Sequence, residues 1–205
     1  MELKCTPQRK FLAYLGQVQF CALAAIIILS LSGCAAPQNE STFVRQKTDL
    51  RYVKKVAVLP FTNNTSDKFA AQRIRDITTT QILSMGIFDV VDEGVVDSAL
   101  REMAIGKDKP MDTPILKRLG QRLGVQAFID GTVNDIGTNK SGPFSYPEVS
   151  LTLKLVDSES AEILWQSSAH RNGYSVWERL FDLDPQDSFQ LALILTRDML
   201  ATIPK

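Results

Sequence analysis

Apolar and polar positions along this chain fall into short blocks of two different periods. Val56-Ala57-Val58-Leu59 is an unbroken apolar run, opened by Lys54-Lys55 and stopped by Pro60, and it predicts a buried strand over Lys54–Phe61. Thr62 to Asp67 then supplies turn and N-cap chemistry. Phe69, Ile74, Ile77 and Ile82 recur near helical spacing and Gly86 follows, which predicts a helix over Lys68–Met85. Phe88–Asp92 reads as a second strand and Val95–Met103 as a second helix. A charged loop from Lys107 to Asp112 leads to Thr113-Pro114, a capping threonine and a first-turn proline that open a helix ending at Leu123-Gly124. Val125–Val133 reads as a third strand and Gly137–Gly142 as a flexible turn. From Glu148 to Val156 the alternation is clean, with Val149, Leu151, Leu153 and Leu155 on one face and Ser150, Thr152 and Lys154 on the other. Asp157–Ser160 turns the chain into Ala161–Ala169, a hairpin partner, and Gln186–Ile203 is an amphipathic helix. The order βαβααβββα predicts one α/β sandwich over residues 51–205, with a mixed five-stranded sheet and flanking helices.

The first 50 residues follow neither period. Lys4, Arg9 and Lys10 precede an apolar run from about Phe20 to Leu31, which ends in Leu31-Ser32-Gly33-Cys34. This is the anatomy of a secretory signal peptide over residues 1–33. The dense apolar stretch is short for a transmembrane anchor, which needs about 20 apolar residues. The last four residues resemble a bacterial lipobox, and the resemblance implies cleavage after Gly33 and a thioether-linked lipid on Cys34. Ala35 and Ala36 follow it, with no aspartate, which for lipoproteins of this kind implies an address at the outer membrane, on its periplasmic face. Residues 34–50 are polar and aperiodic and read as a flexible tether.

Removing residues 1–33 of 205 leaves 172, one domain of ordinary size. The segment removed takes with it Lys4, Arg9, Lys10 and Glu2, so 23 basic and 23 acidic residues become 20 and 22. That balance offers no basic face for nucleic acid. Cys5 and Cys21 also leave, so no disulfide is expected. His170 is the only histidine, which argues against a zinc site and leaves one candidate base with no nucleophile motif around it. Asp182, Asp184 and Asp187 form a solvated turn rather than a calcium loop, and Asn63-Asn64-Thr65 is read as turn chemistry. No catalytic residue, metal or cofactor is expected; the chain reads as a binding or structural protein.

Three segments carry a resemblance to a family. KKVAVLPFTNNTSD at 54–67, MGIFDVVD at 85–92 and VSLTLKLVDSESAEILW at 149–165 resemble, in order and spacing, the CsgG-like outer-membrane lipoproteins. Ser160-Ala161 stands where that family usually has Thr-Gly. Neither Asp135–Pro147 nor Asn172–Asp187 offers long enough alternation for membrane strands of about 9–11 residues, so the chain is similar in size to the compact PelC-type export lipoproteins. The resemblance implies a homo-oligomeric accessory subunit for polysaccharide or protein export. The alternative is a lipoprotein regulator docking on an envelope enzyme such as a peptidoglycan synthase, whose activator shares a related architecture. Tyr174, Trp177 and Phe181, spaced by three and four, form a candidate membrane-facing or subunit-facing patch, or cap the core.

Overall fold

The computed structural model describes residues 39–46, 49–106, 111–141, 144–173 and 187–204. The strands are β1 (Asn39–Val44), β2 (Lys55–Val58), β3 (Thr62–Asn63), β4 (Asp89–Val90), β5 (Ala127–Ser141), β6 (Phe144–Asp157) and β7 (Ile163–Asn172). The helices are α1 (Ala70–Met85), α2 (Glu93–Glu102), α3 (Thr113–Leu123) and α4 (Ser188–Ala201), with a 3-10 turn at Leu50–Tyr52. All described residues lie in one unit, Gln38–Lys205.

The strands form one mixed sheet in the order β1-β7-β6-β5-β2-β4, with β3 also paired to β5. β2 runs parallel to both β4 and β5, while β5, β6, β7 and β1 are successively antiparallel. The α/β sandwich stands, with seven strands in place of five. The two added strands have little sequence signal. β3 is two residues long and resumes the line of β2 beyond Pro60, pairing Thr62 with Thr132 and Asn63 with Val133. β1 occupies residues read as tether, NESTFV, and exists because β7 offers it a full ladder from Asn39↔His170 to Val44↔Trp165.

Two apolar cores lie on opposite faces of the sheet. On one, α1 and α4 cover Val56, Val58, Ile129, Leu151, Leu153 and Trp165. On the other, α2 and α3 cover Ala57, Leu59, Phe128 and Val91. β2 is therefore buried on both faces, as its unbroken apolar run requires. Trp165 is fully buried, and its Nε1 donates to Thr202 Oγ1 at 2.9 Å, satisfying the indole at the end of α4.

Helix ends carry local stop signals. Gly86 (φ 62°) and Gly124 (φ 63°) take the left-handed conformation that closes α1 and α3. Asp92 Oδ1 caps α2 from Gly94 N–H (2.9 Å), and Asp187 Oδ1 caps α4 from Gln190 N–H (2.8 Å). Asp112, rather than the expected Thr113, caps α3 by accepting from Ile115 N–H at 3.1 Å. One expectation on α1 is corrected, and one residue of it was not anticipated. Phe69 is 70% exposed, because it precedes the helix rather than joining its apolar stripe. Arg75 is buried beside Ile74: its Nε and Nη2 donate to Val58 O at 3.1 and 2.8 Å, and its guanidinium pairs with Asp97 (3.0 Å) and Glu93 (3.6 Å) of α2. One cation thus ties α1, β2 and α2 together.

The turn expected at Gly137–Gly142 is also corrected. β5 continues to Ser141 and β6 begins at Phe144, with a bulge between Val133 and Asp135. β7 ends opposite Glu148, so from Thr138↔Pro147 to Ser141↔Phe144 the two strands run on as a ribbon beyond the sheet. Polar residues without alternation hide such an extension, since hairpin pairing alone holds it.

Candidate functional site

α2 and α3 cover only the parallel half of their face of the sheet. Beyond Phe128 the same face continues across β5, β6, β7 and β1 with no described helix packed on it. Cross-strand register arranges its side chains in rows. Phe43, Gln166, Lys154 and Asp130 form one row; Ser41, Ser168, Thr152 and Thr132 form the next. Asn39, His170, Ser150 and Asp135 occupy the third row of register positions. Along β6 the residues of this face are half-exposed while their neighbours are buried. That alternation is the mark of an antiparallel sheet with one wet face.

Hydrogen bonds between short side chains order the surface. Thr152 Oγ1 and Ser168 Oγ lie 3.0 Å apart, and Asn134 Nδ2 donates to Thr152 Oγ1 at 3.1 Å. His170 Nε2 stands 3.4 Å from Glu148 Oε1 at the β7 end of the face, so the lone histidine belongs to this surface. At the inner margin, burial raises the Asp130 carboxyl above the ordinary carboxylate range, partly offset by Lys154, whose Nζ is 3.9 Å away. Exposed Phe43 adds an apolar position at the outer margin. Such a surface of hydroxyls, amides and one aromatic ring can bind a polar partner by hydrogen bonding and shape. Sequence reasoning identified Ser150, Thr152 and Lys154 as one face, but Ser41 and Phe43 were out of reach because β1 was read as tether.

The β6–β7 turn limits the face at the opposite end from His170. Asp157 Oδ2 accepts from Ser160 N–H (2.8 Å), Ser160 Oγ (2.9 Å) and Glu159 N–H (3.1 Å), and Asp157 Oδ1 accepts from Tyr52 Oη (2.6 Å). Burial opposes ionisation of Asp157, and these hydrogen bonds outweigh it, so its pKa falls below the ordinary value. Ala161, where the resembling family has glycine, sits at φ 59°.

Cys34, Tyr174, Trp177 and Phe181 lie outside the described residues, as do Asp182, Asp184 and Lys107–Pro110. Asp187 is the α4 cap. Asn63 is turn chemistry: Nδ2 donates to Asp67 O at 2.8 Å, and Oδ1 accepts from Thr65 N–H at 3.0 Å.

The family model described as peptidoglycan-synthase activator LpoB matches residues 35–170, from just before β1 nearly to the end of β7. The chain belongs to the LpoB family. The matched region contains β1, β5, β6 and all but the last two residues of β7, and α4 lies beyond it. A family named for an activator is a family of accessory proteins rather than enzymes. No curated protein matches the sequence. Among solved structures, the PelC dodecamer from Paraburkholderia phytofirmans is similar in fold at a TM-score of 0.54 and 17% identity, over 80% of this chain and 96% of that one. The lipoprotein GNA1162 from Neisseria meningitidis is similar at a TM-score of 0.53 and 23% identity, over 73% and 97%. At these identities the likeness to PelC and GNA1162 is one of fold.

Proposed function

We propose that this chain is a non-enzymatic outer-membrane lipoprotein that docks on an envelope enzyme of the peptidoglycan-synthase class and activates it. The match to the LpoB family across β1, β5, β6 and nearly all of β7 is the observation that carries this reading. Cys34 is the lipid attachment point and holds the domain on the periplasmic side of the membrane. The polar face of β1, β7, β6 and β5 is the docking surface. Its hydroxyls are already ordered by one another, so binding immobilises few rotamers. The test is glycan polymerisation by a purified synthase of the same cell, with and without the soluble domain, alongside Thr152→Arg and Ser168→Arg. Stimulation by the parent domain and its loss in both variants is expected; stimulation undiminished in both would remove the open face from the contact. A domain that neither binds nor stimulates any such synthase would overturn the reading.

A second reading rests on the PelC dodecamer, whose chain is spanned almost entirely by the shared fold. In it, copies of this chain assemble into a ring serving polysaccharide or protein export, as the CsgG-like resemblance implies. A closed ring requires a heterologous contact, one face of a subunit meeting a different face of the next. Light scattering separates the readings: a single large species favours the ring and a monomer favours the docking regulator. Tyr174, Trp177 and Phe181 form the membrane or subunit patch in either case. Trp177→Ala is expected to weaken vesicle association or assembly with little change in Tm; a large fall in Tm with association intact would make Trp177 a core residue.

A further inference from the structure

The leash behind the proposed anchor is short. Because β1 begins at Asn39, four residues, Ala35 to Gln38, separate Cys34 from the sheet, and the five Cα–Cα steps between Cys34 and Asn39 replace the longer tether read from sequence. Fully extended, that segment spans at most about 17–18 Å.

Register says which end of the domain the leash leaves from. Asn39 pairs with His170, which pairs with Ser150. β1 and β6 are both antiparallel to β7, so both begin at the same end of the sheet. Going back from Ser150 toward its start, β6 reaches Ser145 after five residues and Phe144 after six, about 17 and 20 Å further along. The leash therefore leaves the sheet at the end from which the ribbon projects, and its full reach is no greater than the ribbon's length. Any leash conformation short of full extension leaves the ribbon tip beyond Cys34.

α4 brings an apolar group to that end. Thr202 bonds Trp165 near the start of β7, and Asp198 pairs with Arg171 near its end at 2.7 Å, so α4 runs antiparallel to β7. Its first turn, with Phe189 55% exposed, faces the ribbon end. Among the described ribbon positions Thr138 and Ser145 are exposed and polar, Tyr146 is half-buried and Pro147 is buried. An open two-stranded ribbon also has unpaired edges and cannot enter hydrocarbon. It suits the headgroup layer.

We infer that the end of the β5–β6 ribbon, with Ser145 foremost among its described positions, rests on the lipid headgroups of the bilayer that holds Cys34. The inference rests on the anchoring reading above. The partner at this end is a lipid surface; a protein partner meets the domain elsewhere, and the open face stands across the membrane plane for it to approach from the side.

The experiment uses the mature lipidated protein in phosphatidylethanolamine–phosphatidylglycerol vesicles containing headgroup-nitroxide lipid. Lipidated Cys34 would be the sole native cysteine of that protein, so Ser145→Cys or Glu159→Cys adds one labelling site for an environment-sensitive fluorophore. The Ser145 label is expected to lose most of its emission to the nitroxide, while the Glu159 label, on the far turn, keeps nearly all of its own. A flexible insertion of about 20 residues between Ala36 and Pro37 lengthens the leash and is expected to restore the Ser145 emission. Equal emission from both labels on vesicle-bound, lipidated protein overturns the inference. An unmodified Cys34 by mass spectrometry, or failure to float with vesicles, overturns the anchoring reading instead.

Discussion

The two halves of the sheet solve the same burial problem differently. Around β2, β4 and the start of β5, helices lie on both faces, and even a guanidinium is enclosed. Across β6, β7 and β1, α1 and α4 cover one face and the described residues leave the other open. The first half is a structural block, where chemistry is spent on holding elements together. The second half has a rigid apolar floor beneath a replaceable polar surface, which is the arrangement a docking protein needs. Substitutions should therefore separate: stability effects in the block, binding effects on the open face.

Arg75→Leu breaks the block most severely. It leaves Val58 O without its donor and Asp97 and Glu93 without their cation. Both carboxylates are partly exposed, so a loss of about 3 kcal/mol is expected by chemical denaturation, at the lower end for a broken buried pair. Gly131→Ala comes next. An added Cβ would stand 2.7 Å from the Phe61 ring, under β3, and the overpacking is expected to cost about 1–3 kcal/mol. A Tm unchanged in Gly131→Ala would show that Phe61 can move aside.

In the open half the effects shrink. Asp157→Asn removes a charged acceptor from the β6–β7 turn and is expected to cost about 1–2 kcal/mol at pH 7. The folded pKa of Asp157 lies below its ordinary 3.8, so its contribution is present above that pH and is lost as pH falls through the folded value. The gap between parent and variant should close under acid, which denaturation at pH 7 and below pH 3.8 would reveal. Ala161→Gly runs the other way: relief of a left-handed alanine (φ 59°) is expected to raise stability by about 0.5–1 kcal/mol. Thr152→Arg, which removes two hydrogen bonds between partly exposed side chains, should cost only about 0.5–1 kcal/mol while abolishing partner binding. Destabilisation as large as that of Arg75→Leu would mean that the open face is part of the structural block.

Local chemistry made much of this molecule legible in advance. An unbroken apolar run can be stable only where both faces are covered, and Val56–Leu59 is such a strand. Strict alternation from Val149 to Leu155 requires one buried and one wet face, and β6 has both. Gly86 and Gly124 end helices because few other residues accept a positive φ. These features depend on a residue and its neighbours in sequence, so sequence carries them. Tertiary structure alone decided the rest. NESTFV becomes β1 only because β7 has an unpaired edge, β3 is two residues long and exists as a continuation of a neighbour's ladder, and the ribbon past Gly137 is held by cross-strand pairing. Arg75 is buried because three elements converge on its donors, and Phe69 is exposed because the helix starts one residue after it. Backbone hydrogen bonds between distant strands are blind to side-chain type, and that is why the shortest strands, the leash length and the open face emerge only once the chain has folded.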